Sequence, residues 1–136
     1  PQVKYLFDTD VISTLLRRSE LTKLHQRIAR VPQRLQCTTS ITLAELSYGA
    51  HRVGKLELYE RARSIVNDVE VLTFDVAAAE QYGRVRANLE RKGLKLDEAD
   101  LRIASIALAH ECTLVTGNTR HFARVPALKV ENWLAG

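Results

Sequence analysis

Val3-Lys4-Tyr5-Leu6-Phe7-Asp8-Thr9-Asp10-Val11-Ile12-Ser13-Thr14-Leu15-Leu16 changes its period part-way along. Residues 3–7 are a short apolar run with β-branched and aromatic side chains, the pattern of a buried strand. Val11, Leu15 and Leu16 then recur at helical spacing. Two acids, Asp8 and Asp10, stand at the junction. A buried strand that runs straight into a helix is the first half of a crossover unit, and crossover units build parallel sheets.

The remaining chain repeats the alternation. Apolar runs at 35–39, 69–74, 113–116 and 128–130 read as further strands. Leu21, Leu24 and Ile28 mark one intervening helix, Leu43, Leu46 and Ala50 another, and residues 55–67 a third. The longest helix covers 75–92, with a stripe of Ala78, Tyr82, Val85 and Leu89 and a stop at Gly93. A last helix, 101–110, is apolar through Ile103, Ala104, Ile106, Ala107 and Leu108. The expected fold is therefore α/β, a mainly parallel central sheet flanked by helices on both faces. With 136 residues, 46% of them hydrophobic, and no repeat or linker-like stretch, one domain over 1–136 is expected.

Composition removes several function classes. No apolar stretch approaches the roughly 20 residues that cross a membrane, and the start lacks the apolar core of a secretory signal, so a cytoplasmic protein is expected. Cys37 and Cys112 have no CxxC spacing and no Cys/His set around them, which makes them reduced core residues. The formal net charge of +4 suits a polyanionic partner without specifying one.

In parallel α/β sheets ligands bind at the carboxyl ends of the strands. Four polar places fall there: Asp8-Thr9-Asp10, Glu45, Asp97 with Asp100, and Thr116-Gly117-Asn118. Helix capping is the competing explanation for these acids. Thr42-Leu43-Ala44-Glu45 fits a capping box, Asp97-Glu98-Ala99-Asp100 fits an Asp N-cap with an acid three residues on, and Asp10 reads as a first-turn acid. Asp8 and Asp100 differ because each adjoins strongly apolar sequence, where a carboxylate needs a compensating partner. Carboxylates crowded at one edge make sense around a hard divalent cation, Mg²⁺ or Mn²⁺; zinc would call for His and Cys ligands. Such a site polarises a phosphodiester and activates water for in-line attack, without a covalent intermediate. No G-x-S-x-G elbow, Walker loop or G-x-G-x-x-G motif offers another chemistry.

Taken together, Leu6-Phe7-Asp8-Thr9-Asp10-Val11-Ile12-Ser13, Thr42-Leu43-Ala44-Glu45-Leu46, Asp100-Leu101-Arg102-Ile103-Ala104, Leu114-Val115-Thr116-Gly117-Asn118-Thr119-Arg120-His121-Phe122 and Val130-Glu131-Asn132-Trp133 resemble VapC toxins of the PIN-domain superfamily. The resemblance implies a PIN-like fold and a Mg²⁺- or Mn²⁺-dependent endoribonuclease that arrests translation. It also implies a homodimer, neutralised by a cognate antitoxin. By position Asp8, Glu45 and Asp100 match the three acids of the family site, with Asp8 and Asp100 as the metal ligands. Many relatives carry an Asp where this sequence has Asn118; either Asn118 or Asp97 fills that fourth place. The resemblance casts Thr9 and Thr116 as hydroxyls that hold carboxylates or water, against a turn-forming role. Arg120 is a candidate phosphate contact, against the simpler reading of an exposed turn cation.

Three rivals remain. A haloacid-dehalogenase-like phosphatase shares the Asp8-Thr9-Asp10 opening and Val115-Thr116-Gly117-Asn118, but needs a Lys and a further acidic pair after Thr116, and Glu131 is the only acid beyond it. A phospho-receiver would need its acceptor Asp at the end of run 69–74, where Asp75 reads as a helix cap. The non-enzymatic rival is an inactive PIN-like module that binds RNA or protein.

Overall fold

The computed structural model describes residues 2–18 and 22–134. The elements are β1 (Tyr5–Phe7), α1 (Thr9–Arg17), α2 (Lys23–Ala29), β2 (Gln36–Thr39), α3 (Ser40–Arg52), α4 (Leu56–Ile65), β3 (Glu70–Leu72), α5 (Val76–Arg91), α6 (Glu98–Ala109), β4 (Thr113–Val115), α7 (Thr119–Phe122) and β5 (Val130–Glu131). A 3-10 turn, Gln33–Leu35, leads into β2. The five strands lie in the order β3-β2-β1-β4-β5 and every neighbouring pair is parallel. β1 is central, with Leu6 in register with Cys37 on one side and Leu114 on the other.

The strands read as unbroken apolar runs because both faces of the sheet are covered. Successive strand residues point to opposite faces. Leu6 and Leu114 enter one apolar cluster, with Val85 and Leu89 of α5 and Ile103 and Ile106 of α6. Phe7 and Val115 enter a second, with Val11 and Ile12 of α1, Leu24 of α2, Ala62 of α4 and Trp133. The α/β architecture with helices on both faces is as expected from the sequence.

The differences lie at element ends. Leu35 belongs to the 3-10 turn rather than to a strand. α6 starts three residues before 101, at Glu98. The last strand is Val130–Glu131 rather than 128–130. α7 was not expected, since four residues are too few to establish a helical period. Leu21, placed with the second helix from the sequence, lies outside the described residues. Cys37 and Cys112 are free and buried, as expected. No described helix is long and apolar enough to cross a membrane.

Candidate metal centre at the carboxyl edge of the sheet

The central strand delivers Asp8. Its backbone N–H donates to the Val115 carbonyl at 3.2 Å, so the chain is still tied to β4 when the carboxylate appears. Asp8 is also the N-cap of α1: its Oδ1 accepts the Val11 N–H at 3.0 Å. The side chain is only 3% exposed. Burial pushes its pKa up to about 6, against the lowering effect of hydrogen bonds from Thr116 and Val11, and Asp10 and Asp100 add repulsion. Asp100, in the first turn of α6, is likewise pushed up to about 6 by burial and by the charges of Asp97, Glu45 and Asp10. Its carboxylate accepts no hydrogen bond from the described residues.

A cavity of about 510 Å³ brings Asp8, Asp10, Glu45 and Asp100 together, with Ser13, Arg17, Gly117 and Asn118 on its walls. Glu45 lies in the second turn of α3, because that helix starts at Ser40 with Thr39 as its N-cap. The capping box expected at Thr42 to Glu45 therefore does not form. Thr9 Oγ1 instead lies 2.5 Å from Glu45 Oε1 and 3.1 Å from Thr42 Oγ1. A hydroxyl carries one proton and a carboxylate can only accept, so Thr9 donates to Glu45 and accepts from Thr42. Thr42 in turn lies 3.3 Å from Thr39 Oγ1. Three hydroxyls thus link the ends of β1 and β2 and fix the Glu45 rotamer.

The fourth strand supplies Thr116, fully buried. Its hydroxyl donates to Asp8 and accepts the Asn118 N–H at 2.9 Å. The Asn118 side-chain oxygen accepts from His121 Nδ1. Gly117 is where the backbone must pass close to a carboxylate: a Cβ there would sit 2.6 Å from Asp10 Oδ2 and 2.6 Å from Leu134 Cδ1.

Asp97 stands at the N-cap position of α6 but makes no capping hydrogen bond, so the capping explanation for it does not hold. It lines a second cavity of about 520 Å³ with Asp100, Asn118 and His121. Asn118 borders both cavities and Asp97 only the second. Asp10, read from the sequence as a first-turn acid, is exposed and lines the first cavity without capping α1. Arg120 is exposed and borders neither cavity.

The donor set is all oxygen, which suits a hard cation. Among the described residues no group of three or more His, Cys, Asp or Glu side chains is gathered so as to hold a metal ion by itself. Two carboxylates with water completing the shell is the arrangement that Mg²⁺ ordinarily accepts. The crowding itself calls for positive charge, since burial and mutual repulsion disfavour the ionised forms of Asp8 and Asp100.

The PIN-domain family model matches residues 5–128, and ribonuclease VapC2 of Haemophilus influenzae is 32% identical, covering 97% of this chain and 99% of its own. The chain belongs to the VapC group of the PIN-domain family. Another VapC relative, the tRNA(fMet)-specific endonuclease of Shigella flexneri, is 33% identical over 96% of this chain and 98% of its own. The structure of DNA-bound VapBC from Salmonella typhimurium contains a chain with TM-score 0.88 and 31% identity, covering 97% of this chain and 99% of that one. Membership of this family removes the dehalogenase-like and receiver alternatives. Asp8, Glu45, Asp100, Thr116 and Asn118, all nominated from the sequence, meet at one edge of this VapC-type sheet. Ser13, Arg17 and Thr42 carried no signal that separates them from ordinary helix residues.

Proposed function

We infer that this chain is a divalent-metal-dependent endoribonuclease, the toxin of a toxin-antitoxin pair, held inactive by its antitoxin. The observation that carries this reading is the meeting of buried Asp8 and half-buried Asp100 in one cavity with Glu45, within a VapC-group chain. We assign Asp8 and Asp100 as the metal ligands and Mg²⁺ as the ion, with Mn²⁺ as a substitute. An ion held by Asp8 and Asp100 would offset the carboxylate charge and would supply Lewis-acid chemistry for phosphodiester hydrolysis. Thr116 and the Val11 N–H orient Asp8. Glu45, locked by Thr9, is placed to accept a proton from the attacking water. Asn118, which lines the same cavity, is a neutral group suited to positioning water or phosphate.

The substrate is RNA, and transfer RNA is the first to test because the Shigella relative is named for it. The protein is read as a cytoplasmic homodimer built from one PIN domain per chain. Its antitoxin places an Arg or Lys among Asp8, Glu45 and Asp100, where a cation competes with the metal. An apolar cavity of about 360 Å³ between α1, α2 and α4, lined by Ile12, Leu15, Ile28 and Ile65, suits an amphipathic helix of that partner. The test uses purified, partner-free protein with transfer RNA and Mg²⁺. Cleavage that EDTA abolishes and Mg²⁺ restores is the expected result. No cleavage of any cellular RNA, together with no growth defect on overproduction, would leave only the inactive-module reading.

A further inference from the structure

The acidic cavity does not end at Asp100. Asp100 and Asn118 also line a second cavity, together with Lys95, His121 and Arg124. We propose that this second cavity is a subsite for the RNA phosphate next to the scissile one, gripped by Lys95 and Arg124 with His121 beside them; this rests on the nuclease reading above.

Three observations support it. The first is that the Arg124 guanidinium and the His121 ring are each held at a fixed place. Arg124 Nη1 donates to the Lys95 carbonyl at 2.7 Å, tying the segment after α7 to the turn between α5 and α6. His121 Nδ1 is engaged by Asn118, which itself hangs from Thr116. The second is that neither Lys95 nor Arg124 pairs with a carboxylate among the described residues, unlike Arg27 with Glu131, Arg86 with Glu90 or Arg102 with Glu98. The third is sign. Asp97 and Asp100 line the same cavity, so an anion there is attracted by Lys95 and Arg124 and repelled by the two carboxylates. A polyanionic chain laid along the cleft therefore has one register that places a phosphate on Lys95 and Arg124 and its neighbour over the metal ligands. Partly buried Leu96 adds an apolar wall for the intervening sugar or base.

The experiment measures binding of a short single-stranded RNA to the full chain in EDTA, where no cleavage occurs, over a range of salt. Lys95→Ala and Arg124→Lys are compared with Lys129→Ala, a charge change beside a cavity that also contains Lys4 and Cys112, at the amino end of the strands. Loss of the Lys95 contact should weaken binding about five- to tenfold near physiological salt and flatten the salt slope by about 0.7, the share of one single-strand phosphate. Arg124→Lys keeps the charge but loses the fork, so it should weaken binding less. An oligonucleotide series with one phosphate at a time made neutral as a methylphosphonate locates the contact. At one position the parent should lose affinity while Lys95→Ala loses almost none further, a non-additive cycle. If Lys95→Ala and Arg124→Lys bind like Lys129→Ala, with additive losses at every position, the subsite is wrong. Unchanged RNA affinity with weakened antitoxin binding would also overturn it, by giving the pocket to the partner. Cleavage by the parent with Mg²⁺, run in parallel, separates either failure from a failure of the nuclease reading.

Discussion

At the residue scale, Asp8 carries two tasks in one carboxylate. It caps α1 through Val11 and it faces the acidic cavity. Asn at the same position keeps the cap, because its oxygen accepts the same N–H. Asp8→Asn is therefore expected to lose cleavage by a hundredfold or more, on the order seen when a positioned catalytic group is removed, while remaining folded. Stability should rise. The Asp8 pKa is raised in the folded state to about 6 from 3.8, so between those values the folded protein holds more protons than the unfolded one. Stability of the chelated protein then falls as pH rises through this window, and the penalty is complete above it. Asp8→Asn should remove it, worth about 1–3 kcal/mol at pH 7. Chemical denaturation of both proteins in EDTA at pH 4.5 and 7 checks the sign: the difference must be larger at pH 7. Gly117→Ala tests the neighbouring carboxylate. Its Cβ meets only the ends of the Asp10 and Leu134 side chains, so stability should change by less than about 1 kcal/mol. Cleavage should fall because Asp10 must move; unchanged cleavage would show that Asp10 has no bearing on the reaction.

At the element scale, the site depends on how three helices start. α1 begins on Asp8, α3 on Thr39 and α6 at Asp97, and the hydroxyls of Thr9, Thr42 and Thr39 connect the first two. Thr9→Val removes the donor to Glu45 with little change of volume. The prediction is a stability loss of about 1 kcal/mol and a fall in kcat with KM nearly unchanged, since Glu45 would leave its rotamer without altering the RNA contacts. Equal losses in kcat and in RNA affinity would contradict a positioning role. The start of α6 gives a second comparison. Asp97 makes no cap bond and adds repulsion to Asp100, whereas Asn118 borders both cavities. Asn118→Ala should therefore reduce cleavage more than Asp97→Asn. The reverse order would move the fourth place of the acidic site to Asp97.

At the scale of the whole molecule, the parallel sheet brings acids from three distant stretches, Asp8 with Asp10, Glu45 and Asp100, to one charged edge, and a bound cation acts on the folding equilibrium. An ion that binds only the folded state stabilises by about 2.7 kcal/mol at a hundred times its Kd. Mg²⁺ should raise the Tm of the parent and leave that of an Asp8→Asn, Asp100→Asn double variant unchanged, read by thermal unfolding without RNA. The antitoxin should act in the same direction. Its complex with the chain should be more stable and inactive, and exchanging its inserted cation for Ala should restore cleavage without dissolving the complex.

The sequence by itself determined the architecture and most of the site's cast. Strands buried on both faces appear as short unbroken apolar runs, such as Tyr5-Leu6-Phe7 and Thr113-Leu114-Val115, and helices keep their stripes; these periods are local properties of the chain. Polar residues that follow apolar runs fall at one edge of any parallel sheet, which is why Asp8, Glu45, Thr116 and Asn118 stand out in the sequence; Asp100 follows helix α5 rather than a strand and stands out by the strongly apolar stretch after it. Which acids cap and which face the cleft was decided by tertiary structure. Asp8 caps while Asp10 and Asp97 do not, because capping depends on the turn at which each helix departs from its strand. Glu45 is held by a threonine 36 residues away, and the Arg124 guanidinium by the backbone carbonyl of Lys95. Contacts of that kind leave no periodic trace in sequence, since they arise only when the crossover helices pack and bring separate strand ends within a hydrogen bond of one another.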